Sequence, residues 1–191
     1  MSVFRVRKVR LSVVIISVIF SIILLFAGMK IYIHTAYPLE YSEYVDKYAT
    51  ETALPRSLVY AVIRTESGFD PEATSYLNAK GLMQIMPETL DWVRYRLGEK
   101  GEVSEDILYD AEKNIYYGCH LLRLLTDEFD TPREVMAAYH AGYGNVKKWL
   151  SDEEFSTDGV TIKHIPFNTT RKYVDKVMFT AEIYRKIYHL E

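Results

Sequence analysis

With 191 residues, the chain has room for one globular domain and an accessory segment but not for two full domains. The formal net charge is −3, from 23 Lys and Arg against 26 Asp and Glu, and no basic run follows residue 10, which excludes nucleic acid as a partner. Cys119 is the only cysteine, so no internal disulfide can form, and the five histidines are scattered without metal-ligand spacing, so neither a metal site nor a cofactor is expected.

The N-terminal segment is apolar enough to cross a membrane. Leu11 to Met29 carries no charge and nearly crosses the roughly 30 Å of a bilayer core, and the residues up to Ile33 supply the rest. Only Lys30 follows closely, whereas four basic residues precede the segment: Arg5, Arg7, Lys8 and Arg10. This asymmetry predicts a cytoplasmic basic tail over residues 1–10, a single-pass transmembrane signal-anchor helix over 11–33, and an extracytoplasmic location for the rest of the chain.

A cleaved signal peptide is the alternative reading of this segment. Its apolar region would be shorter, roughly 7–15 residues, and would end in a small-x-small cleavage site. The sequence Leu25-Phe26-Ala27 matches such a site poorly, so we expect an uncleaved anchor.

Beyond the anchor, the sequence predicts a linker over residues 34–43 and one helical globular domain over 44–191. Pro55 suits the first turn of a helix that runs to about Glu66, and Pro87 opens another that Gly98 closes. Asp110 suits the N-cap of the next helix, whose apolar stripe comprises Ile115, Cys119, Leu122 and Leu125.

The C-terminal third contains two more helices and an irregular segment. Thr131 to Glu134 has the spacing of a capping box, in which threonine and glutamate side chains cap each other's amides. Residues 152–166 lack helical spacing and form a surface loop or a small hairpin. The last helix runs from about Thr170 to Tyr188, and these residues are expected to face inward: Val174, Val177, Met178, Ala181 and Tyr184.

Glu66 is the candidate acid. It ends a row with Leu58 and Val62 at i, i+4 and i+8, which lie on one helix face. Burial on that face would raise the carboxyl pKa, as a general acid near neutral pH requires. From spacing alone, a solvent-exposed glutamate is the favoured explanation, because Glu is common at helix ends.

Two later segments have the composition of binding loops. Gln84 is polar among Met83, Ile85 and Met86, so it needs hydrogen-bond partners if it is buried. The segment 138–145 combines small residues and glycines with two tyrosines, which suit close backbone approach and stacking on sugar faces.

Taken together, these segments resemble the family 23 lytic transglycosylases of the soluble-lytic-transglycosylase type, over about residues 44–188. Its Glu-Ser motif matches Glu66-Ser67, its Gly-Leu-Met-Gln motif matches 81–84 and its Ala-Tyr-Asn-Ala-Gly motif matches 138–142 with His140 in place of asparagine. Further matches lie in the helix after residue 110 and in the last helix: Asp110, Asn114, Ile115, Gly118, Thr170, Arg171, Tyr173 and Val174.

The resemblance implies a lysozyme-like, mainly α fold of the α+β lysozyme-like superfamily, and cleavage of peptidoglycan glycan strands. Glu66 would protonate the bond between N-acetylmuramic acid and N-acetylglucosamine, and would then take the proton of the muramic acid 6-hydroxyl as a 1,6-anhydro ring closes. The implied substrate-binding residues are Ser75, Met83, Gln84, Tyr139, His140 and Tyr173. The domain would work at the wall side of the cytoplasmic membrane, with a protein partner in the envelope machinery that no residue identifies.

The chain departs from the family at three positions. His140 replaces an asparagine, which changes the donors and acceptors there and adds a titratable group. Asn78 replaces a glycine but tolerates the left-handed backbone that the turn needs. Thr169 replaces a frequent glutamate.

Two other functions remain as alternatives. A hydrolase of the lysozyme type would need a second carboxylate over the groove. Asp70 is the nearest acid, and its place before Pro71 is typical of a turn residue. A non-catalytic, membrane-tethered glycan-binding scaffold would tolerate changes at Glu66.

Overall fold

The computed structural model describes the backbone of residues 2–191 and the side chains of residues 13–191. The predicted basic cluster at residues 5–10 therefore lies outside the described side chains. The chain divides into two compact units, Met1–Pro38 and Leu39–Glu191.

The first unit is one helix, α1 (Ser2–Ala36). Its apolar part, Val13–Ala36, spans 24 residues and is long and apolar enough to cross a membrane. The two serines of this part bond within the helix, since the Ser17 hydroxyl donates to the Val14 carbonyl oxygen (2.9 Å) and the Ser21 hydroxyl donates to that of Ser17 (2.9 Å). Such bonds let serine lie in an apolar helix without an unsatisfied donor.

The second unit is helical throughout its described residues apart from turns and two isolated bridges, which confirms the predicted mainly α fold. Its elements are α2 (Ser42–Glu51), α3 (Arg56–Glu66), α4 (Pro87–Arg96), a 3₁₀ helix (Glu105–Tyr109), α5 (Ala111–Thr126), α6 (Pro132–Ala141), α7 (Tyr143–Leu150) and α8 (Asn168–Tyr188).

The core of this unit forms where α8 packs against α3 and α6, with α5 packing on α2 and α6. Tyr60 of α3 stacks on Tyr184 of α8 with ring centroids 5.3 Å apart, and both rings are fully buried. The predicted stripe on α5 is confirmed, because all four of its residues are at most 2% exposed. Helix α3, which ends at Glu66, is thus held in place by its packing on α8.

Several helix boundaries follow the predicted signals. Pro87 is the first residue of α4, and Gly98, with φ +74°, follows its end. The Asp110 side chain caps α5 by accepting a hydrogen bond from the Lys113 amide (2.9 Å). Local turn chemistry therefore fixes these ends, as the sequence predicted.

The capping box predicted at α6 is wrong in its chemistry. The Thr131 hydroxyl donates to the Glu134 carboxylate and caps no amide. Glu134, 2% exposed, also accepts a hydrogen bond from the Ile162 amide (2.9 Å). The Glu134 carboxylate thus holds the segment after α7 in place. The buried Ile162 amide cannot bond to water, so it takes the carboxylate as its partner.

Residues 152–166 form a loop and contain no strand. Asp158 organises it by accepting hydrogen bonds from the amides of Val160 (2.9 Å) and Thr161 (2.8 Å), and Ile162 and Ile165 anchor it in the core. On α8, Val174, Val177 and Tyr184 are buried as expected, whereas Met178 is 37% exposed and its predicted inward orientation is wrong.

Candidate active site

A cavity of about 350 Å³ opens at the C-terminal end of α3. Glu66 lies in it, and the other lining residues come from the turn before α4, from α4 to α6 and from the start of α8: Ser75, Tyr76, Leu77, Ala79, Gln84, Ile85, Met86, Thr89, Leu121, Tyr139, His140 and Thr169. Of the predicted site residues, the cavity brings together Glu66, Ser75, Gln84, Tyr139 and His140.

Glu66 is the only carboxylate among the described residues that line this cavity. Burial raises the pKa of its carboxyl from 4.5 to about 7, against smaller lowering effects of the Tyr173 hydroxyl and the Lys176 charge. Desolvation destabilises the anion, so a large fraction of the Glu66 carboxyl is still protonated near neutral pH. A carboxylic acid in this state can donate a proton to a substrate oxygen.

Ser67 connects the end of α3 to the turn that contains Leu82. Its hydroxyl donates to the Leu82 carbonyl oxygen (2.8 Å) and accepts a hydrogen bond from the Phe69 amide (3.1 Å). The residue next to Glu66 is therefore bonded to the segment that carries Gln84. This bond keeps the positions of Glu66 and Gln84 in the cavity constant relative to each other.

The turn between Ala73 and Met86 presents Ser75 and Gln84. Ser75 and Ala79 exchange backbone and side-chain hydrogen bonds, and Lys80 pairs with Ile85 through two backbone bonds of 3.0 and 3.1 Å. The Gln84 side-chain nitrogen donates to the carbonyl oxygens of Ala73 (3.0 Å) and Gly81 (2.9 Å). Any hydrogen bond from Gln84 to a ligand must therefore use its oxygen, as an acceptor.

Asn114 of α5 holds this turn from below. Fully buried, it accepts a hydrogen bond from the Met83 amide (2.7 Å) and donates to the carbonyl oxygens of Lys80 (2.9 Å) and Leu108 (2.7 Å). Gly81 is required here, because a Cβ at this position would lie 2.0 Å from the Leu108 carbonyl oxygen. Asn114 and Gly81, which are far apart in sequence, are thus both needed to hold this turn against α5.

Met83 does not line the cavity. Its side chain is fully buried, and a Cβ on Gly118 of α5 would lie 2.2 Å from its sulfur. The methionine that does line the cavity is Met86, which is 37% exposed. Met83 contributes to the site through its backbone, since its carbonyl oxygen accepts the Tyr139 hydroxyl at 2.6 Å.

His140 lines the cavity from the end of α6, and Tyr173 of α8 packs against it. The His140 Nδ1 and the Thr170 hydroxyl are 3.0 Å apart, and the His140 ring lies 4.5 Å from the Tyr173 ring. Burial lowers the pKa of His140, which favours the neutral imidazole.

The Tyr173 hydroxyl is buried and has no partner in hydrogen-bond geometry among the described residues. The Glu66 carboxyl is near enough for the two groups to shift each other's pKa, with the pKa of Tyr173 raised mainly by burial. Tyr173 is only 8% exposed and is not among the residues that line the cavity. It therefore acts on Glu66 from outside the cavity lining.

Asp70 accepts a hydrogen bond from the Glu72 amide (3.0 Å), as expected of an acid in a turn, and it is not in the cavity lining. Thr169 does line the cavity, so the family's frequent glutamate at that place is replaced here by a neutral hydroxyl. No group of His, Cys, Asp and Glu able to hold a metal ion occurs among the described residues.

Sequence reasoning did not name several of the lining residues as site residues, among them Tyr76, Met86 and Thr89. Tyr76 is 95% exposed at the tip of the turn, where an aromatic ring has no structural reason to be. An aromatic residue between Ser75 and Asn78 in a turn was the available signal, but only the folded turn shows that it borders the cavity.

Comparison with known proteins agrees with this geometry. The sequence profile of the transglycosylase SLT domain matches residues 43–160. The chain is similar to the soluble lytic murein transglycosylase of Escherichia coli K12, at 35% identity over 151 residues, 78% of this chain and 23% of the relative. It is also similar to the membrane-bound lytic murein transglycosylase C of Actinobacillus succinogenes, at 32% identity over 123 residues, 60% of this chain and 34% of the relative.

The fold is likewise that of solved enzymes. The crystal structure of the 70 kDa soluble lytic transglycosylase of Escherichia coli superposes with a TM-score of 0.71 at 32% identity, over 80% of this chain and 25% of that one. The chain thus spans about a quarter to a third of the length of these proteins.

Proposed function

Since the chain belongs to the transglycosylase SLT domain family, we propose that it is a peptidoglycan lytic transglycosylase, which cleaves the β-1,4 bond between N-acetylmuramic acid and N-acetylglucosamine. The observation that carries this proposal is a single desolvated carboxyl, Glu66, with a pKa of about 7 in a cavity that holds no second carboxylate among its described residues. A non-hydrolytic mechanism needs one proton donor and acceptor, whereas most glycosidases use two carboxylates.

In the first step, the neutral Glu66 donates its proton to the glycosidic oxygen, and the bond from that oxygen to C1 of the muramic acid breaks. The electron pair of the bond stays on the departing oxygen of N-acetylglucosamine. The carbonyl oxygen of the substrate's own N-acetyl group attacks C1, so no side chain has to form a covalent bond.

In the second step, Glu66 is a carboxylate in a desolvated site, where it is a stronger base than in water. It takes the proton of the muramic acid 6-hydroxyl while that oxygen attacks C1 and displaces the N-acetyl oxygen. The 1,6-anhydro ring closes, Glu66 is neutral again and no water is consumed.

The surrounding residues supply binding and orientation. Gln84 offers its side-chain oxygen to a substrate N–H or hydroxyl, and Ser75 and His140 contact the sugars on either side. The Tyr139 ring provides an apolar surface, Met83 supports the site through its carbonyl oxygen, and the Tyr173 hydroxyl orients the Glu66 carboxyl from behind.

We further propose that the chain is a single-pass membrane protein with residues 1–10 in the cytoplasm, an anchor over 11–33, a linker over 34–43 and the catalytic domain, 44–191, on the wall side. Support comes from the apolar length of α1 and from the positive charges that precede it. Residue-selective labelling of cysteines introduced at positions 4 and 40 in intact cells tests this orientation.

Mass spectrometry of muropeptides tests the activity. The full chain in detergent is incubated with purified peptidoglycan, with Glu66→Gln as the matched inactive variant. We expect products ending in 1,6-anhydro-muramic acid from the wild type and none from the variant. Reducing ends would mean a hydrolase, and equal release by both proteins would remove Glu66 from the mechanism.

A further inference from the structure

The hydrogen bond between His140 and Thr170 fixes which nitrogen of the imidazole carries the proton. Thr170 is 1% exposed, and the His140 Nδ1, at 3.0 Å, is the only hydrogen-bond partner of its hydroxyl among the described residues. A buried hydroxyl needs an acceptor for its proton, so Thr170 donates and Nδ1 accepts. The proton of the neutral ring is therefore on Nε2.

The Nε2–H group is what His140 offers to a ligand. His140 lines the cavity of Glu66, and no described residue forms a hydrogen bond with its Nε2. The Tyr173 ring, with its centroid 4.5 Å from that of the imidazole, packs against it and limits its rotation. Burial also lowers the pKa of His140, which keeps the ring neutral near pH 7. The group that meets Nε2 must therefore be a hydrogen-bond acceptor.

Thr169 is the second lining residue at which the chain departs from the family. Its neutral hydroxyl stands where a glutamate is frequent, so Glu66 is the only acid among the described residues of the lining. The asparagine that His140 replaces has an amide oxygen as well as N–H donors. Both departures therefore remove an oxygen that could accept from, or pair with, a cationic amine.

An amine and an acetamido group on a sugar differ in what they offer to these side chains. The acetamido group has an N–H donor and a carbonyl acceptor, whereas a protonated amine has donors only. Gln84 can accept from either, because its side-chain nitrogen is already bonded to the Ala73 and Gly81 carbonyl oxygens. The N–H of His140 can only donate, so the acetamido group alone satisfies both side chains.

We propose that His140 and Thr169 make the cavity select glycan strands whose glucosamine residues carry N-acetyl groups and reject strands in which those amines are free. The inference rests on the proposed function for the identity of the strand. The selected sugar is the glucosamine, because the acetyl oxygen of muramic acid attacks C1 in that mechanism. A donor bound to that oxygen would weaken it as a nucleophile.

Rates on two matched peptidoglycans test the selection. The full chain in detergent is given purified peptidoglycan, or the same material after enzymatic removal of the acetyl groups from its glucosamine residues, and mass spectrometry of the released fragments gives kcat/KM. The wild type is expected to be about tenfold slower on the deacetylated material, since a hydrogen bond is lost and two donors face each other.

Variants assign this ratio of rates to the two side chains. His140→Asn and Thr169→Glu should each reduce it to about threefold or less, because each restores an oxygen that can bind the amine. The matched control is His164→Asn, the same change at an exposed histidine outside the cavity lining, and it should keep the wild-type ratio.

Nitrogen NMR tests the protonation of the ring without any turnover. In the full chain with isotope-labelled histidines, the His140 signals are those lost in His140→Asn, and we expect them to show a protonated Nε2. Thr170→Val removes the hydroxyl that fixes this form and keeps the imidazole. The form with the proton on Nδ1 should then become populated, and the ratio of rates should fall as it does in His140→Asn.

An unchanged ratio in His140→Asn would overturn the proposal, and so would a wild type that cleaves both materials equally well or a wild-type ring protonated on Nδ1. Failure of the proposed function would look different, because the fully acetylated material would then yield reducing ends or no fragments. If no fragments form, cosedimentation of the Glu66→Gln variant with the two materials gives the same comparison as a ratio of Kd.

Discussion

The Tyr139 hydroxyl donates a 2.6 Å hydrogen bond to the Met83 carbonyl oxygen, which joins α6 to the turn that carries Gln84. The bond spans 56 residues of sequence and lies beside the cavity of the candidate acid. It fixes the distance between two walls of the groove that no local interaction connects. The position of Gln84 relative to Glu66 thus depends on a hydroxyl from a third segment.

Tyr139→Phe removes the hydroxyl of this bond and keeps the aromatic ring, so it separates the contribution of the hydrogen bond from that of the ring. Loss of the donor leaves the Met83 carbonyl oxygen without its partner, at a cost of about 1–2 kcal/mol in the free energy of unfolding. We expect kcat/KM on peptidoglycan to fall by roughly tenfold, because the turn is less firmly held. Tyr95→Phe, which removes an exposed hydroxyl, is the control, and equal activity of the two variants would contradict the role of the bond.

The pH dependence of activity should report the raised pKa of Glu66. The acid must be protonated, so kcat/KM is expected to fall tenfold per pH unit above about pH 7, where the carboxyl ionises. A rate profile from pH 5 to 9 on purified peptidoglycan measures this limb. An alkaline limb near pH 4.5, the ordinary value of a glutamate, would show that the carboxyl is not desolvated in the working enzyme.

The same pKa predicts how stability changes with pH. Because the folded pKa is about 7 and the ordinary value is 4.5, the folded state holds the proton more tightly. Its contribution to stability is complete below about pH 4.5 and is lost as pH rises to about 7. Glu66→Gln should therefore gain on the order of 3 kcal/mol of stability relative to wild type as pH rises between these limits. Denaturant unfolding of both proteins at the two pH values checks this, and a constant difference would contradict it.

His140→Asn should change the acid limb of the rate profile. Burial lowers the pKa of His140, so the wild type is neutral there at pH 7 and gains a charge only in more acidic solution. We expect the variant to keep kcat/KM within about threefold at pH 7 and to lose the acid limb, since asparagine does not titrate. Identical acid limbs in the two proteins would assign that ionisation to another group.

Lys80 should act as a positioning residue for the turn. It is only 6% exposed, and its ammonium lies 3.0 Å from the Tyr109 hydroxyl and 3.6 Å from the Glu105 carboxylate. Lys80→Met removes these contacts from the middle of the turn and is expected to raise KM several-fold with a smaller effect on kcat. Lys80→Arg keeps the charge and should restore most of the affinity. A loss of kcat alone would contradict a positioning role.

Gly118→Ala tests the packing beneath the turn. The added Cβ would lie 2.2 Å from the Met83 sulfur in a fully buried site, so Met83 must move, at a cost of about 1–3 kcal/mol in stability. Gly144→Ala is the matched control, because nothing lies within 4 Å of a Cβ at that helical position. Thermal unfolding of both variants gives the comparison, and equal melting temperatures would show that the Met83 side chain yields without cost.

The sequence by itself determined the helices, the candidate acid and the family. Helix ends depend on short-range effects, such as the fixed backbone of Pro87 and the side-chain cap of Asp110, so these positions were predicted to within a few residues. The motif resemblance identified Glu66, Gln84, Tyr139 and the neighbouring residues without any knowledge of distances.

Only the tertiary structure decided which side chains face the groove. Gln84 has a φ of +48°, in the left-handed region, and lies in the turn between the two methionines. Met83, before it, packs against Gly118, whereas Met86, after it, lines the cavity. Glu134 fastens a distant loop where the sequence predicted a capping box. The raised pKa of Glu66 arises from long-range packing, because the burial of a side chain depends on all the segments that meet around it and not on its neighbours along the chain.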